Sequence, residues 1–276
     1  MTILLTLVAV IGLLPLAVGF LRLNGGGGRV DAQSFAASTL LCALAFSLTF
    51  LVQELGLVLP KALVPGLDPI LYHNDHDWSG DAPIAELLQG GGAVATLCSG
   101  LLFLWLAGRI GQARPTWRLF AFWMAFQGLF QSLSQWAIGC LIPGNDVGRA
   151  LAWLDAGPLV TGPLLVTSVI AMFASGLLLA RRYPLRGNDR RTALQLAAAV
   201  ALAIVPIVPF RIPREPVEVV LIPFVVHLIG LGWLVLGLGF ARRQPAPARP
   251  GIIGPFTALA ALLAAFQLIL RPGIAF

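Results

Sequence analysis

Charge is what this sequence has least of. Only 11% of its 276 residues are Asp, Glu, Lys or Arg, against 58% that are apolar. A soluble domain carries about 25% charge, so these few groups cannot cover a water-soluble surface. A mean hydropathy of +0.89 points the same way. Cysteine is scarce too. Cys42, Cys98 and Cys140 lie within or at the end of apolar runs, and none belongs to a CxxC pair. That argues against a disulfide framework and leaves packing thiols. There is no Ser–His–Asp order, no phosphate loop and no haem-attachment CxxCH. Residues 1–5 hold no basic side chain, and positive charge comes only afterwards, at Arg22 and Arg29. This arrangement predicts an uncleaved first helix with its N-terminus outside.

Long apolar runs are what the sequence has in abundance. About 20 residues of helix cross a bilayer, whereas barrel strands would alternate polar and apolar residues. Eight runs stand out, at 2–21, 35–59, 87–107, 117–142, 158–180, 193–210, 217–240 and 252–270. The expected fold is therefore all-α: a polytopic transmembrane helical bundle of about eight spans, forming a single integral membrane domain over 1–276. The sixth run is the shortest and ends in Pro206 and Pro209, so seven spans is the alternative.

The charges agree with eight spans. The inner connections would hold Arg22, Arg29, Arg109, Arg114, Arg118, Arg181, Arg182, Arg186, Arg190, Arg191, Arg242, Arg243 and Arg249. The outer side would hold Lys61, Arg149, Arg211, Arg214 and Arg271. Of the acids, only Asp31 and Asp189 fall inside, so every inner connection has a basic excess, as the positive-inside rule expects. The net charge of +6 is thus spread over short loops, which speaks against nucleic acid. The expected partners are the lipid bilayer and other membrane subunits. In a bacterium the chain would sit in the inner membrane with its acidic loops in the periplasm.

Residues 24–30 (NGGGGRV) read as a flexible inner linker, without the strand-before and helix-after context of a phosphate loop. The densest chemistry lies in residues 50–78, FLVQELGLVLPKALVPGLDPILYHNDHDW. Gln53 and Glu54 stand in an apolar helix shortly before Pro60, which ends or kinks it. Ionisable groups at that depth face a bundle interior or a wet cavity. The segment 60–87 turns repeatedly at Pro65, Gly66, Pro69 and Gly80. It is expected to cap a polar pocket between the second and fourth helices. His73, Asp75, His76 and Asp77 offer imidazole and carboxylate together, which suits zinc, iron or manganese. The competing view is a plain polar surface loop.

The third run keeps small residues at Gly90–Gly92, Ala95, Ser99 and Gly100, which let helices approach closely. In the fourth, Gln127, Gln131 and Gln135 share one face at four-residue steps, with Ser134 beside them. Facing lipid, these amides would go unsatisfied. They should meet other helices, through interhelical hydrogen bonds, or line a water-filled pocket. The stripe leads to Asn145 and Asp146 in PGNDVGR. His227, alone in the seventh run, reads as a packing hydrogen bond.

The second to fourth runs resemble the intramembrane metallopeptidases that include the site-2 proteases. The pieces that carry the likeness are Gln53-Glu54-Leu55-Gly56-Leu57 at the position of HExxH, the small-residue run at Gly90–Gly92, and Pro143-Gly144-Asn145-Asp146. The resemblance covers roughly residues 45–155. It implies that Glu54 stands where the general base would, and Asp146 where the third zinc ligand would. Gln53 and Leu57 replace the two histidines, so the family scaffold is implied with its peptidase site lost or rebuilt. Three functions follow as expectations. The first is a non-catalytic subunit or accessory protein. The second is a membrane hydrolase with Glu54 as base and His73, His76 and Asp146 holding zinc or another divalent transition metal. The third is a small-solute or ion permease lined by the glutamine stripe.

Overall fold

The structure, a computed structural model, describes residues 6, 9–25, 31–185, 189–211, 220–241 and 249–276. Linker residues 26–30, Arg186, Arg214, Glu218, Arg242 and Arg243 lie outside that set. So do the opening residues expected of the first and seventh spans.

A π-helical turn at Ala9–Leu13 leads into α1 (Leu14–Arg22). The long helix α2 (Ala32–Ala62) is started by Asp31, whose carboxylate accepts from Ser34 N at 3.3 Å and from Ser34 Oγ at 2.6 Å. An acidic side chain there satisfies an orphan donor and suits the positive end of the helix. The helix continues two residues past Pro60. Proline has no N–H for the carbonyl of Gly56, and that carbonyl lies against Gly91 instead. The chain then forms α3 (Ile84–Leu88), α4 (Gly91–Arg109), α5 (Pro115–Gly139) and α6 (Asp146–Trp153). The last helices are α7 (Pro158–Arg182), α8 (Arg190–Arg211), α9 (Ile222–Leu238) and α10 (Ile253–Ala265). A second π-helical turn, Phe266–Leu270, extends α10.

Among the described residues, five segments are long and apolar enough to cross a membrane. They are Ala32–Ala62, Ile84–Arg109, Pro158–Arg182, Arg190–Pro209 and Ile253–Leu270. The stretches Ala9–Arg22 and Ile222–Leu238 are apolar but shorter. Together they suggest a membrane-embedded protein. Leu159, Ile170, Phe256 and Leu268 stand exposed on the outer helices, where hydrocarbon is a better solvent for them than water.

Helix α5 is not one of the five, because its glutamines and serines lower its hydropathy. It lies at the centre of the bundle instead. Residues 121–134 are all buried, and α2, α4, α6, α7 and α9 pack around it. Against α4 the approach is backbone to backbone: a Cβ on Gly100 would stand 2.6 Å from Leu129 N. The small residues of the third run therefore do let the helices touch.

The segment after α2, expected as a turning loop, forms a small antiparallel sheet with the end of the chain. Strand β1 (Asp68–Leu71) pairs with β2 (His76–Ser79) in the register Leu71↔His76 and Pro69↔Trp78. On its other side β1 pairs with β3 (Ile274–Ala275), and Phe276 N donates to Pro69 O at 3.0 Å. Proline at Asp68-Pro69 and two flanking glycines concealed these strands, which are only four residues long.

Candidate functional site

The sheet aims one face at the bundle. Side chains alternate along a strand, so β2 turns His76 and Trp78 inward and leaves Asp77 and Ser79 exposed. A tight turn holds this register, with Tyr72 N donating to Asp75 O at 2.8 Å.

His76 reaches the C-terminal third of α2. Its Nδ1 lies 2.9 Å from Glu54 Oε2, and its Nε2 lies 3.2 Å from Gln89 Oε1. The carboxylate is deeply placed, since Glu54 is only 3% exposed. Lys61 sits beside it with no exposure at all. Its Nζ donates to Leu57 O at 3.2 Å and to Gln89 Oε1 at 3.4 Å, and stands 4.4 Å from the centre of the Trp78 ring. Trp78 stacks on His76 with centroids 5.8 Å apart and an interplanar angle of 10°. On Trp78 also lies the Arg149 guanidinium, 5.2 Å from the ring centre. Cations over an indole face are attracted by its quadrupole, more strongly where water is excluded. Arg149 also forms a bidentate pair with Glu86, both bonds at 2.7 Å.

Asp146 opens α6 beside this hub. Burial pushes its carboxyl above the ordinary carboxylate range, and Glu54 adds to the rise. His76, Lys61 and Arg149 pull it back. Arg149 lies outside the spans, and its Glu86 partner holds it firmly protonated.

A close glycine contact brings the two sides of the hub together. Gly56 on α2 and Gly91 at the start of α4 meet with no room for a side chain: a Cβ on Gly56 would stand 2.6 Å from the Ala95 Cβ. This lets Gln89, just before α4, reach Lys61 and His76.

The other candidates separate into neighbouring sites. Gln53 accepts from Gln135 Nε2 at 2.7 Å, so the second and fourth expected spans do meet through amides. Asn145 caps α6 by accepting from Gly148 N at 2.7 Å, and its Nδ2 donates to Gln135 O at 3.4 Å. Gln127 donates from Nε2 to Cys42 Sγ at 3.5 Å and lies 2.8 Å from His227 Nε2. His227 Nδ1 donates to Pro223 O at 2.7 Å, which leaves Nε2 as the acceptor. Gln131 is buried nearby and bonds to neither group.

His73 does not enter the hub. It is buried near Phe266, in a cleft with Asn74, Phe46 and Ile207. Among the described residues, the ligand atoms that do cluster belong to Glu54, Asp75 and His76, all within 4.8 Å of one another. Asp75, and not His73, lies beside His76 and Glu54, and Asp146 is outside that cluster. Sequence reasoning missed Lys61, Trp78, Glu86, Gln89 and Arg149. One signal was available: Lys61 is the chain's single lysine and follows a proline at the end of a span.

The chain matches no protein-family model, no curated protein and no solved structure.

Proposed function

We propose that this is a multi-pass membrane protein acting as a non-catalytic subunit or accessory protein, on a scaffold like that of the site-2-protease-type metallopeptidases with the peptidase site lost. One observation carries the reading: the hub's groups are engaged with each other. Glu54 is held by His76, Arg149 by Glu86, and Lys61 by Gln89, Leu57 O and Trp78. Glu54 is buried beneath the sheet with the His76 imidazole against its carboxylate. The scaffold likeness rests on Glu54 and Asp146, the two motif positions carried over. Leu57, at a histidine position, offers no ligand atom.

In this reading the chain has about eight spans with its N-terminus outside, so the hub and its sheet face outward. In a bacterium that side is the periplasm. The test is native mass measurement of the full chain purified in mild detergent. A stoichiometric second protein is expected, and it is retained in Glu54→Gln. A chain that runs alone in both forms would count against the reading.

A second reading has its own observation. Metal–nitrogen and metal–oxygen bonds of about 2.0–2.2 Å place neighbouring ligands roughly 3 Å apart, and His76 Nδ1 lies 2.9 Å from Glu54 Oε2. With Asp75 the pair could hold zinc, iron or manganese in a membrane hydrolase. Glu54 would then be a ligand rather than the base.

A further inference from the structure

The seam between α2 and α5 carries polar atoms that no protein group satisfies. On α2, Ser38, Cys42, Thr49 and Gln53 are spaced by four, seven and four residues, which keeps them on one face. On α5, Trp123, Gln127, Gln131 and Gln135 follow at four-residue steps. Bonds cross the seam in order. Trp123 Nε1 donates to Ser38 Oγ at 3.1 Å, Gln127 Nε2 to Cys42 Sγ at 3.5 Å, and Gln135 Nε2 to Gln53 Oε1 at 2.7 Å.

One rung lacks its bond. Gln131 is 1% exposed, and neither its Nε2 nor its Oε1 has a protein partner. The same holds for Thr49 Oγ1 on the facing helix, for Gln127 Oε1 one turn before Gln131 and for Gln135 Oε1 one turn after. Buried polar atoms are almost always hydrogen-bonded, and an interior without water makes an orphan costly. Five orphans on two facing helices call for an occupant that both donates and accepts. A cation would leave Gln131 Nε2 unmatched, and no carboxylate lies among these seam residues to neutralise it. Water makes two to four bonds to such groups.

We propose that this rung is a water-binding site: a short file of water held between Thr49 and Gln131, reaching Gln127 Oε1 and Gln135 Oε1. Ser38 to Gln53 cover about 22 Å of helix at 1.5 Å per residue, most of a hydrocarbon core about 30 Å thick. The file therefore joins two protein clusters, Gln53–Gln135 beside the hub and Gln127–His227–Cys42 deep in the bundle, into one hydrogen-bonded path. This goes beyond the subunit reading and stands without it.

The test is X-ray radiolytic footprinting of the full chain in nanodiscs. Hydroxyl radicals born from bound water oxidise the side chains beside it. Cys42 on the seam and Phe46, which stacks on His227, are the reporters. Met172, buried in α7, is the control. Expected is oxidation of Cys42 and Phe46 that falls several-fold in Gln131→Leu and in Thr49→Val, with Met172 unchanged. Oxidation equal in wild type and both variants, or none at the reporters, would overturn the proposal. Thermal unfolding of whichever variant folds gives a second decision. A dry orphan amide is relieved by leucine, so a Gln131→Leu chain several degrees more stable than wild type would also overturn it. An equal or lower unfolding temperature is expected.

Discussion

Two polar regions lie along α2, less than one helical turn apart at Gln53 and Glu54, and they are built on opposite principles. In the hub, charged groups from α2, β2, α3 and α6, together with the Gln89 amide, satisfy one another at 2.7–3.4 Å. In the seam, neutral amides meet across two helices and leave five atoms unmatched. A hub whose groups pair internally fixes structure: it fastens the sheet to the helix ends. A seam with orphans needs something from outside the chain. The two regions thus differ in hydrogen-bond completeness as well as in charge.

The hub should respond most strongly to substitution. His76→Ala leaves the Glu54 carboxylate buried without its partner, and breaking one side of a buried pair costs about 3–5 kcal/mol. Glu54→Gln keeps a hydrogen-bonding group facing the imidazole and should cost much less. Thermal or denaturant unfolding in nanodiscs measures both. A His76→Ala loss no greater than that of Glu54→Gln would mean that the pair does not fasten the sheet.

Seam bonds should matter less. Gln135→Leu removes the donor to Gln53, and interhelical hydrogen bonds in membranes average about 0.6 kcal/mol with a maximum near 1.7. The double variant Gln53→Leu/Gln135→Leu should recover part of that loss, because no amide is then left over. A full double-variant cycle reads the coupling. A Gln135→Leu loss as large as that of His76→Ala would erase the distinction between the two regions.

The smallest effect is a pH dependence at the edge of the hub. Asp146 has a folded-state pKa above its unfolded value of 3.8, chiefly through burial. Its contribution to stability is therefore fully present below that value and is lost as pH rises through the folded pKa. Asp146→Asn should match wild type in acid and be slightly more stable at neutral pH. Unfolding temperatures across pH 3–8 test the sign, and an Asn variant less stable at neutral pH would reverse it. Gln135 bonds to the neutral Gln53 amide, so Gln135→Leu should show a pH-independent loss.

Much of the seam was legible in the sequence and little of the hub was. Gln127, Gln131 and Gln135 share a face because helical spacing is local, and that follows from the residues alone. What lies opposite them does not, so the split between two bonded glutamines and one orphan became visible only with Cys42, Thr49 and Gln53 in place. His227, read as a packing hydrogen bond, accepts from Gln127. The hub depends on strand register. His76 meets Glu54 across 22 residues because β2 turns even-numbered side chains inward, and β2 is held through β1 by a strand nearly 200 residues later. No local pattern encodes that pairing. The spans show the same limit. Five were plain from apolar length, whereas α5 is buried without a break over residues 121–134 and yet too polar to be counted by hydropathy.

The most direct measurement is the metal content of the full chain purified without chelator, wild type beside His76→Ala. An internally satisfied hub predicts no stoichiometric zinc, iron or manganese in either protein. About one metal per chain in wild type, lost in His76→Ala, would contradict the account and make Glu54, Asp75 and His76 the ligands of a metal-dependent enzyme.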